Sequence, residues 1–455
     1  MRDLRASCLP PISSIGRGKS RKSSLVERPT RSWSRSSCHC FGDSRESRRD
    51  QVSLRATGDG PLDRRSPVPR TVMTEKKQPQ KTRSSSRRDF LRLTAGAAAA
   101  GFIPERGRAL ARRPDQFVLR HDGTYDVVPL RREEITVSVV QSRVRAVDGR
   151  NPEPGKRENL NHMLDLIDKA QYFGGRKDLV AFHEFPITGW DRWTRKEILN
   201  LALELPGEET EAIGKKAKQY SCYITFGTYA KDKDWPRHIM SVSVIIGPDG
   251  KIVSKQWKAR NIHGVFPGFE LFTTTVYDVL DRYVEMYGWD AVLPVARTDI
   301  GNIAVSSVQW EPELYRALAI KGAEIIIRTS TGGFGRADMV VICRTNGVYG
   351  MAVNNALSPG NPHFVEDPGG TGGSAIFGPR GEIIAQAASP HETIITARLP
   401  LAAFRKRHRI PDVHTALYAH VMRQYQSRYP PNAFLEYLPE SLEDALRYFK
   451  KKARW

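Results

Sequence analysis

Short runs of β-branched and other apolar residues recur along the middle of the chain, and this pattern constrains the fold most. The first run is residues 135–141 and the last is residues 393–399. Between the early runs, apolar residues recur at helical spacing, as in residues 158–172. Residues 242–247 and 251–255 flank a Pro-Asp-Gly turn and predict a hairpin. Alternating strands and helices with added hairpins are typical of an α/β fold with mixed sheets.

The same two patterns predict the remaining elements. Strands are predicted at residues 178–182, 222–228, 303–308, 324–328, 351–356, 374–377 and 382–387. Helices are predicted at residues 208–220, 271–289, 311–321 and 337–350. We expect the helix at 271–289 to form a lid over a pocket.

The net charge of +21 is unevenly distributed along the 455 residues. Residues 1–111 hold 25 Lys and Arg against 10 Asp and Glu, whereas the remaining 344 residues hold 46 against 40. The main body therefore lacks the electrostatic excess that binding to a phosphate backbone requires, and no nucleic-acid partner is expected. No apolar run reaches 18 residues, so no membrane span is expected either.

The segment 1–72 is rich in Arg, Ser and Pro and has few periodic apolar residues. Such a segment cannot bury enough apolar surface to offset the entropy lost on ordering. Two interpretations stay open: a disordered basic tail, or sequence that is not translated because the true start is Met73. Cys38 and Cys40 flank a histidine here, but without a second ligand pair nearby they do not predict a metal site.

Residues 73–111 have the three parts of a twin-arginine signal peptide in order. Arg87 and Arg88 precede Asp-Phe-Leu, a short apolar run spans residues 94–103, and residues 109–111 are Ala-Leu-Ala. This order predicts export of the folded protein by the twin-arginine machinery to the bacterial periplasm or beyond. The mature chain would begin near residue 112, with residues 112–131 as a lead-in to the folded domain.

Three segments that end predicted strands carry residues suited to chemistry. Residues 180–189 are VAFHEFPITG, residues 250–258 are GKIVSKQWK, and a third loop lies between GNIAV at 301–305 and PELYRALAIKGAE at 312–324. Through these segments the chain resembles the nitrilase superfamily of carbon–nitrogen hydrolases, its amidase-like branches in particular, over residues 132–410.

The resemblance implies a fold and a catalytic set. The family fold is a four-layer α-β-β-α sandwich, usually dimerised through a helical face, and here it would form a single α/β domain. The catalytic set is a Glu, a Lys and a Cys, each after a different strand. The resemblance implies neither a metal nor a cofactor. The expected ligand is a small linear amide, nitrile or N-carbamoyl compound.

Two of the three catalytic positions match. Glu184 keeps the family's five-residue spacing to a glycine, although His183 replaces the usual proline. A carboxylate at a strand end in a partly closed site can serve as a general base. Lys258 matches the catalytic lysine after the hairpin and would stabilise an oxyanion by its charge, whereas Lys255 is out of register.

The nucleophile position does not match. Counting back from Pro312 places it on Ser306, and counting forward from Gly301 places it on Val308, because the loop is about two residues short. We take Ser306 as the candidate and keep Ser307 beside it. A serine hydroxyl is far more basic than a thiol and needs a strong adjacent base.

The cysteines elsewhere do not replace the missing one. No cysteine lies between residues 223 and 342. Cys222 begins a predicted strand and Cys343 lies within a predicted helix, so both are expected to be buried thiols rather than nucleophiles.

Three further residues are placed in the substrate pocket by the resemblance. His263 occupies the place of a second family glutamate, with Glu270 as a weaker candidate for that role. Gln309 and Glu313 lie on the nucleophile loop and the helix that follows it.

The C-terminal extension, residues 411–455, has few family markers. Its aromatic residues predict packing, and we expect a dimer or larger homo-oligomer contact here. The basic run at 405–409 is expected to be solvated or to lie in an interface.

Two hypotheses follow from these positions. The first is an exported carbon–nitrogen hydrolase that uses Glu184, Lys258 and Ser306. The second is a catalytically silent relative that keeps the fold and a small-molecule pocket for binding or assembly.

Overall fold

The structure is a computed structural model that describes residues 119–263, 272–332, 335–365 and 371–455. The basic segment 1–72 and the predicted signal peptide 73–111 lie outside these residues, as does the beginning of the lead-in. Within the described residues, twelve strands form two six-stranded sheets. The strands are β1 (Ile135–Gln141), β2 (Leu179–Ala181), β3 (Tyr223–Ala230), β4 (Met240–Ile246), β5 (Ile252–Trp257), β6 (Ala296–Thr298), β7 (Gly301–Ser306), β8 (Ile325–Thr329), β9 (Tyr349–Val353), β10 (Ala375–Phe377), β11 (Ile383–Gln386) and β12 (Thr393–Leu399).

Helices connect the strands and form the C-terminal extension. They are α1 (Pro152–Tyr172), α2 (Arg195–Leu201), α3 (Glu208–Tyr220), α4 (Leu280–Tyr287), α5 (Pro312–Ile320), α6 (Arg336–Asn346), α7 (Leu401–Arg407), α8 (Ala419–Gln424), α9 (Ala433–Glu436) and α10 (Leu442–Lys452).

Each sheet has a parallel centre and antiparallel edges. The first sheet has the order β12-β1-β2-β3-β4-β5, and the second has the order β11-β10-β9-β8-β7-β6. The pairs β1–β2, β2–β3, β7–β8 and β8–β9 are parallel, and the remaining neighbours are antiparallel. Parallel strands need helical crossovers, which α1, α3, α5 and α6 supply. The carboxyl ends of these parallel strands can therefore bring loop residues together.

Three apolar clusters show the layer order. One cluster joins β1, β2, β7, β8 and β9, as in Val139 and Ile327, and so lies between the two sheets. A second cluster packs the first sheet against α1, α2 and α3, as in Val180 and Ile213. A third packs the second sheet against α5 and α6, as in Ala304. The predicted four-layer α-β-β-α sandwich with mixed sheets is confirmed.

Two predicted helices differ from the structure. The helix predicted at 337–350 ends at Asn346, because Gly347 adopts a left-handed conformation with φ +65° and its N–H bonds to Cys343. Strand β9 then begins at Tyr349, earlier than predicted.

The segment predicted as a lid contains a shorter helix than expected. Tyr277–Val279 is a 3-10 turn and α4 follows it. The buried Val276, Val279 and Tyr283 pack into the cluster on the helix side of the first sheet, rather than over a cavity between the sheets. The described part of this segment is therefore a supporting layer, and the lid prediction is not supported for it.

A buried carboxylate ties the lead-in and α7 to the second sheet. Glu324 is fully buried and accepts hydrogen bonds from Arg405 at 2.8 and 2.7 Å and from the Tyr125 hydroxyl at 3.0 Å. The backbone N–H of Asn302 donates to the same carboxylate at 2.8 Å. Arg405 therefore has a structural partner, and the prediction of a solvated or interface run is wrong for this residue.

The C-terminal extension both packs on the domain and exposes apolar residues. Phe434 and Phe449 are buried in the same cluster as α1 and α3. Leu417 and Val421, in contrast, are largely exposed. Within the described residues, none of the helices has the length and apolar character needed to cross a membrane.

Candidate active site

Strand ends from both sheets converge on one cavity. Glu184 follows β2 and Lys258 follows β5 in the first sheet, whereas Ser306 is the last residue of β7 in the second sheet. All three line a cavity of about 10 Å³, which has room for about one water. The described lining residues are Glu184, Gly227, Ser241, Val242, Ser243, Gln256, Trp257, Lys258, Val305, Ser306 and Ser307. The structure thus brings the three predicted catalytic residues together.

Glu184 and Lys258 form a buried ion pair at the cavity. The Nζ atom of Lys258 donates to Oε1 of Glu184 at 3.2 Å, and each residue is 8% exposed. Because both charges are largely removed from water, each depends on the other for compensation. The pair presents a carboxylate and an ammonium group at the same small polar space, as a base and an oxyanion partner would require.

Gly227 gives the backbone of Glu184 the space it occupies. A Cβ atom added to Gly227 would lie 2.5 Å from the Glu184 carbonyl oxygen and 2.6 Å from its Cα atom. This glycine of β3 is therefore needed for the close approach of the base loop rather than for its own conformation.

We expect Gly227→Ala to displace Glu184 and to lower the free energy of unfolding by about 1–3 kcal/mol, because the contact is with backbone that cannot rotate away. Chemical denaturation would measure the stability loss. Gly360→Ala is the matched control, because a Cβ atom there meets nothing within 4 Å. Equal stability of the two variants would contradict the proposed close packing.

A glutamine fixes the spacing between the sheets at the cavity. Oε1 of Gln256 on β5 accepts a hydrogen bond from the backbone N–H of Val305 on β7 at 2.7 Å. The sequence reasoning missed this residue, together with Gly227, Ser241 and Ser243. The available signal was the alternation of Ser241 and Ser243 with apolar residues along β4, which places both serines on one face of the strand.

The structure separates the two counts of the nucleophile position. Ser306 and Ser307 line the cavity. Val308 is 1% exposed and belongs to the cluster between the second sheet and its helices. No valine side chain from position 308 therefore occupies the space between Glu184 and Lys258. The Ser306 Oγ atom accepts a hydrogen bond from the Val308 backbone N–H at 3.2 Å. Among the described residues no hydrogen bond joins Ser306 to Glu184.

Neither described thiol is available as a replacement nucleophile. Cys222 and Cys343 are both fully buried in apolar clusters away from the cavity. Burial raises the pKa of Cys222 to about 11 and raises the pKa of Cys343 further above its usual value. Both remain thiols at neutral pH, so their predicted role as inert core residues agrees with their surroundings.

The three residues predicted to line the substrate pocket lie elsewhere. His263 stacks on Phe449 of α10, with ring centroids 3.7 Å apart, and its Nε2 atom lies 3.6 Å from Asp278. The Gln309 carbonyl oxygen accepts a hydrogen bond from Arg260, and Glu313 is exposed on α5. The structure does not bring these three to the cavity. Glu270 lies outside the described residues.

The histidine next to Glu184 is not placed to act as a second general base. His183 is fully buried, and burial lowers the pKa of its imidazole to about 4. Its Nδ1 atom accepts a hydrogen bond from the Phe185 N–H at 3.2 Å, so the proton of the neutral ring is on Nε2. His183 therefore positions the loop that carries Glu184. No group of three or more His, Cys, Asp or Glu side chains in the described part of the chain is placed to hold a metal ion.

The family model for carbon-nitrogen hydrolases matches residues 136–409. The chain belongs to the carbon-nitrogen hydrolase family. The matched range contains both sheets and the whole candidate site, so the predicted membership of the nitrilase superfamily is confirmed.

Curated relatives share the family at low identity. A nitrilase of Pyrococcus abyssi is 27% identical over 265 residues, which cover 58% of this chain and 90% of the relative. A formamidase of Helicobacter acinonychis is 25% identical over 203 residues, covering 44% of this chain and 54% of the relative. This chain therefore spans about half the length of that formamidase.

Solved structures include similar family members. A carbon-nitrogen hydrolase from Helicobacter pylori G27 has a TM-score of 0.48 and 18% identity, covering 65% of this chain and 96% of that one. A Saccharomyces cerevisiae member of branch 10 of the nitrilase superfamily has a TM-score of 0.46 and 20% identity, covering 67% and 100%.

Proposed function

We propose that this member of the carbon-nitrogen hydrolase family acts on a small linear amide, nitrile or N-carbamoyl compound. One observation carries the proposal: a buried Glu184–Lys258 pair shares a polar cavity between the two sheets with serine hydroxyls. A charged pair is costly to bury and contributes little to stability, so its retention at a cavity favours a functional role. The nitrilase and formamidase among the relatives support a ligand of this class.

The residues of the site supply each proton transfer that amide hydrolysis needs. A serine Oγ atom bonds to the carbonyl carbon, its proton passes to the Glu184 carboxylate, and the carbonyl oxygen becomes an oxyanion beside Lys258. The C=O bond then re-forms, the C–N bond breaks, and Glu184 returns the proton to the leaving nitrogen. Water attacks the resulting acyl ester with Glu184 as base, and the serine regains its proton as the acid leaves.

The chemistry of serine predicts a slow reaction. A carboxylate is a weak base for a hydroxyl. His183 cannot assist, because its unprotonated nitrogen already accepts a hydrogen bond from the Phe185 N–H. A thiol would ionise far more readily at the same position. Turnover well below that of a cysteine-dependent relative is therefore part of the proposal.

A second candidate function is ligand binding without turnover. The observation that favours it is the engaged hydroxyl of Ser306, which accepts a hydrogen bond from Val308 rather than facing Glu184. In that case Glu184 and Lys258 would bind the amide-like group of a small ligand, and the fold would serve binding or assembly.

Two further proposals concern location and assembly. We retain the proposal of export by the twin-arginine machinery to the periplasm, which rests on the order of the segments in residues 73–111. We also propose a homodimer or larger homo-oligomer that uses the C-terminal extension. The exposed apolar residues Leu417, Val421 and Tyr425 support a contact there.

Release of ammonia by the purified chain tests the proposed activity. We expect slow release from a panel of short amides, nitriles and N-carbamoyl compounds, and a loss of at least tenfold in Glu184→Gln, because the base is gone. Thermal unfolding with the same panel measures binding in parallel. Stabilisation without any release would favour the binding protein. The absence of both release and stabilisation would overturn the assignment of the cavity.

A further inference from the structure

We infer that Ser307, rather than Ser306, is the residue whose side chain the site presents to the substrate as the nucleophile. This inference rests on the proposed function and deepens it, because counting along the sequence favours Ser306. Two observations carry it: the facing of the strand and the bonds of the two hydroxyls.

The facing of β7 places Ser306 on the helix side of the second sheet. Val305 packs in the cluster between the sheets, whereas Ala304 packs in the cluster against α5 and α6. Side chains alternate along a strand, so Ser306 faces the helices with Ala304. Its register partner on β8 is Arg328, two residues after Ile326, which packs on that same helix side. Ser307 follows the end of the strand, and it lines the cavity together with Val305, Glu184 and Lys258.

The bonds of Ser306 agree with this facing. Its Oγ atom accepts a hydrogen bond from the Val308 N–H at 3.2 Å. The Tyr315 hydroxyl of α5 donates to the Val308 carbonyl oxygen at 2.5 Å, on the same turn. Ser306 therefore holds the turn that follows β7 from the helix side. It is a positioning residue for the loop, and its hydroxyl is already engaged.

Ser307 has the opposite character. It is 8% exposed, it lines the cavity with Glu184 and Lys258, and its hydroxyl makes no hydrogen bond within the described residues. A hydroxyl without a protein partner is available to water or to a ligand. The attack itself follows the steps given above, with the Ser307 Oγ atom forming the bond to carbon and Glu184 taking its proton.

The test installs a thiol at each position of the full chain. Ser307→Cys and Ser306→Cys are close to isosteric and form a matched pair, and iodoacetamide is the probe. Site-resolved mass spectrometry would give the rate of alkylation of each introduced thiol, with the buried Cys222 and Cys343 as internal references for unreacted thiols. Thermal unfolding confirms that both variants are folded.

We expect the thiol of Ser307→Cys to be alkylated at least about tenfold faster at pH 7 than the thiol of Ser306→Cys. The Lys258 ammonium group favours ionisation of a thiol in the cavity, and the Glu184 carboxylate 3.2 Å from it opposes ionisation. The difference in rate therefore reports the access of each thiol to the cavity together with its charged neighbours. Adding Lys258→Met to Ser307→Cys should remove most of that difference. Faster or equal alkylation in Ser306→Cys would overturn the inference.

The two proposals can fail separately. Ammonia release by the unaltered chain decides whether the site hydrolyses its ligand, and the order of alkylation decides which side chain the cavity presents. Among variants tested for turnover, a larger loss in Ser307→Ala than in Ser306→Ala supports the inference, and the reverse order contradicts it. Fast alkylation of Ser307→Cys with no turnover by the unaltered chain would reject hydrolysis while leaving the orientation of Ser307 established.

Discussion

Replacing Lys258 by methionine is expected to lower the free energy of unfolding by about 3–5 kcal/mol and to abolish both turnover and ligand-induced stabilisation. The substitution keeps most of the side-chain volume, so the effect isolates the charge. Glu184 would remain buried at the cavity without the ammonium group that lies 3.2 Å from it. Both residues are only 8% exposed, so the little water that the cavity can hold replaces the lost partner only in part.

Lys255→Met is the matched control for this substitution. Lys255 lies in β5, three residues before Lys258, but it is exposed, and among the described residues it donates only to the Leu205 carbonyl oxygen at 3.4 Å. Its replacement should change stability by less than about 0.5 kcal/mol. Combining Lys258→Met with Glu184→Gln should recover part of the loss, because no unpaired charge remains. Urea denaturation of the unaltered chain and these three variants gives the four free energies of unfolding. Equal effects of Lys255→Met and Lys258→Met would falsify the assignment of a buried pair.

Replacing Glu324 by alanine is expected to cost about 3–5 kcal/mol of stability without touching the candidate active site. Its carboxylate accepts two bonds from Arg405, one from Tyr125 and one from the Asn302 N–H. Removing the carboxylate leaves these four donors without their acceptor at a fully buried position, and it leaves a cavity where the side chain was. It also releases α7 from the second sheet.

The control for this prediction is an exposed ion pair. Glu134→Ala removes a carboxylate 3.8 Å from Arg398, where both side chains are at least 48% exposed. Surface pairs of this kind contribute about 0–1 kcal/mol, so little change is expected. Thermal and urea unfolding of both variants measure the difference. A loss in Glu324→Ala no larger than that in Glu134→Ala would show that the network does not stabilise the fold.

The strongly periodic elements were predictable because their residues face a single environment. Strands β1 and β12 and helix α3 occur at the predicted residues. Helix α6 was predicted too long because the sequence pattern did not show that Gly347, directly after Asn346, takes the left-handed conformation that ends the helix. Helix α2 was missed, although Thr194 and Glu197 form a capping box that is visible in the sequence.

The candidate site was predictable only in part. Glu184 and Lys258 could be placed because the segments around them resemble the family's motifs that follow two regular strands. His263 could not be placed, because its contact with Phe449 of α10 depends on how the C-terminal extension folds back. The choice between Ser306 and Ser307 depends on which face of β7 each one occupies, and a loop shortened by two residues removes the spacing that would decide it.

The hydrogen bond from Val305 to Gln256 has a mechanical consequence. The base and the ammonium group belong to one sheet and the serines to the other, so the reach from Glu184 to the nucleophile is the separation of the two sheets. The hydrogen bond between Gln256 and Val305 ties the two sheets together at that point. A change of volume in the layer between the sheets, for example at Ile303 or Ile325, would therefore have to stretch or break this hydrogen bond before it changed the distance between the reacting groups.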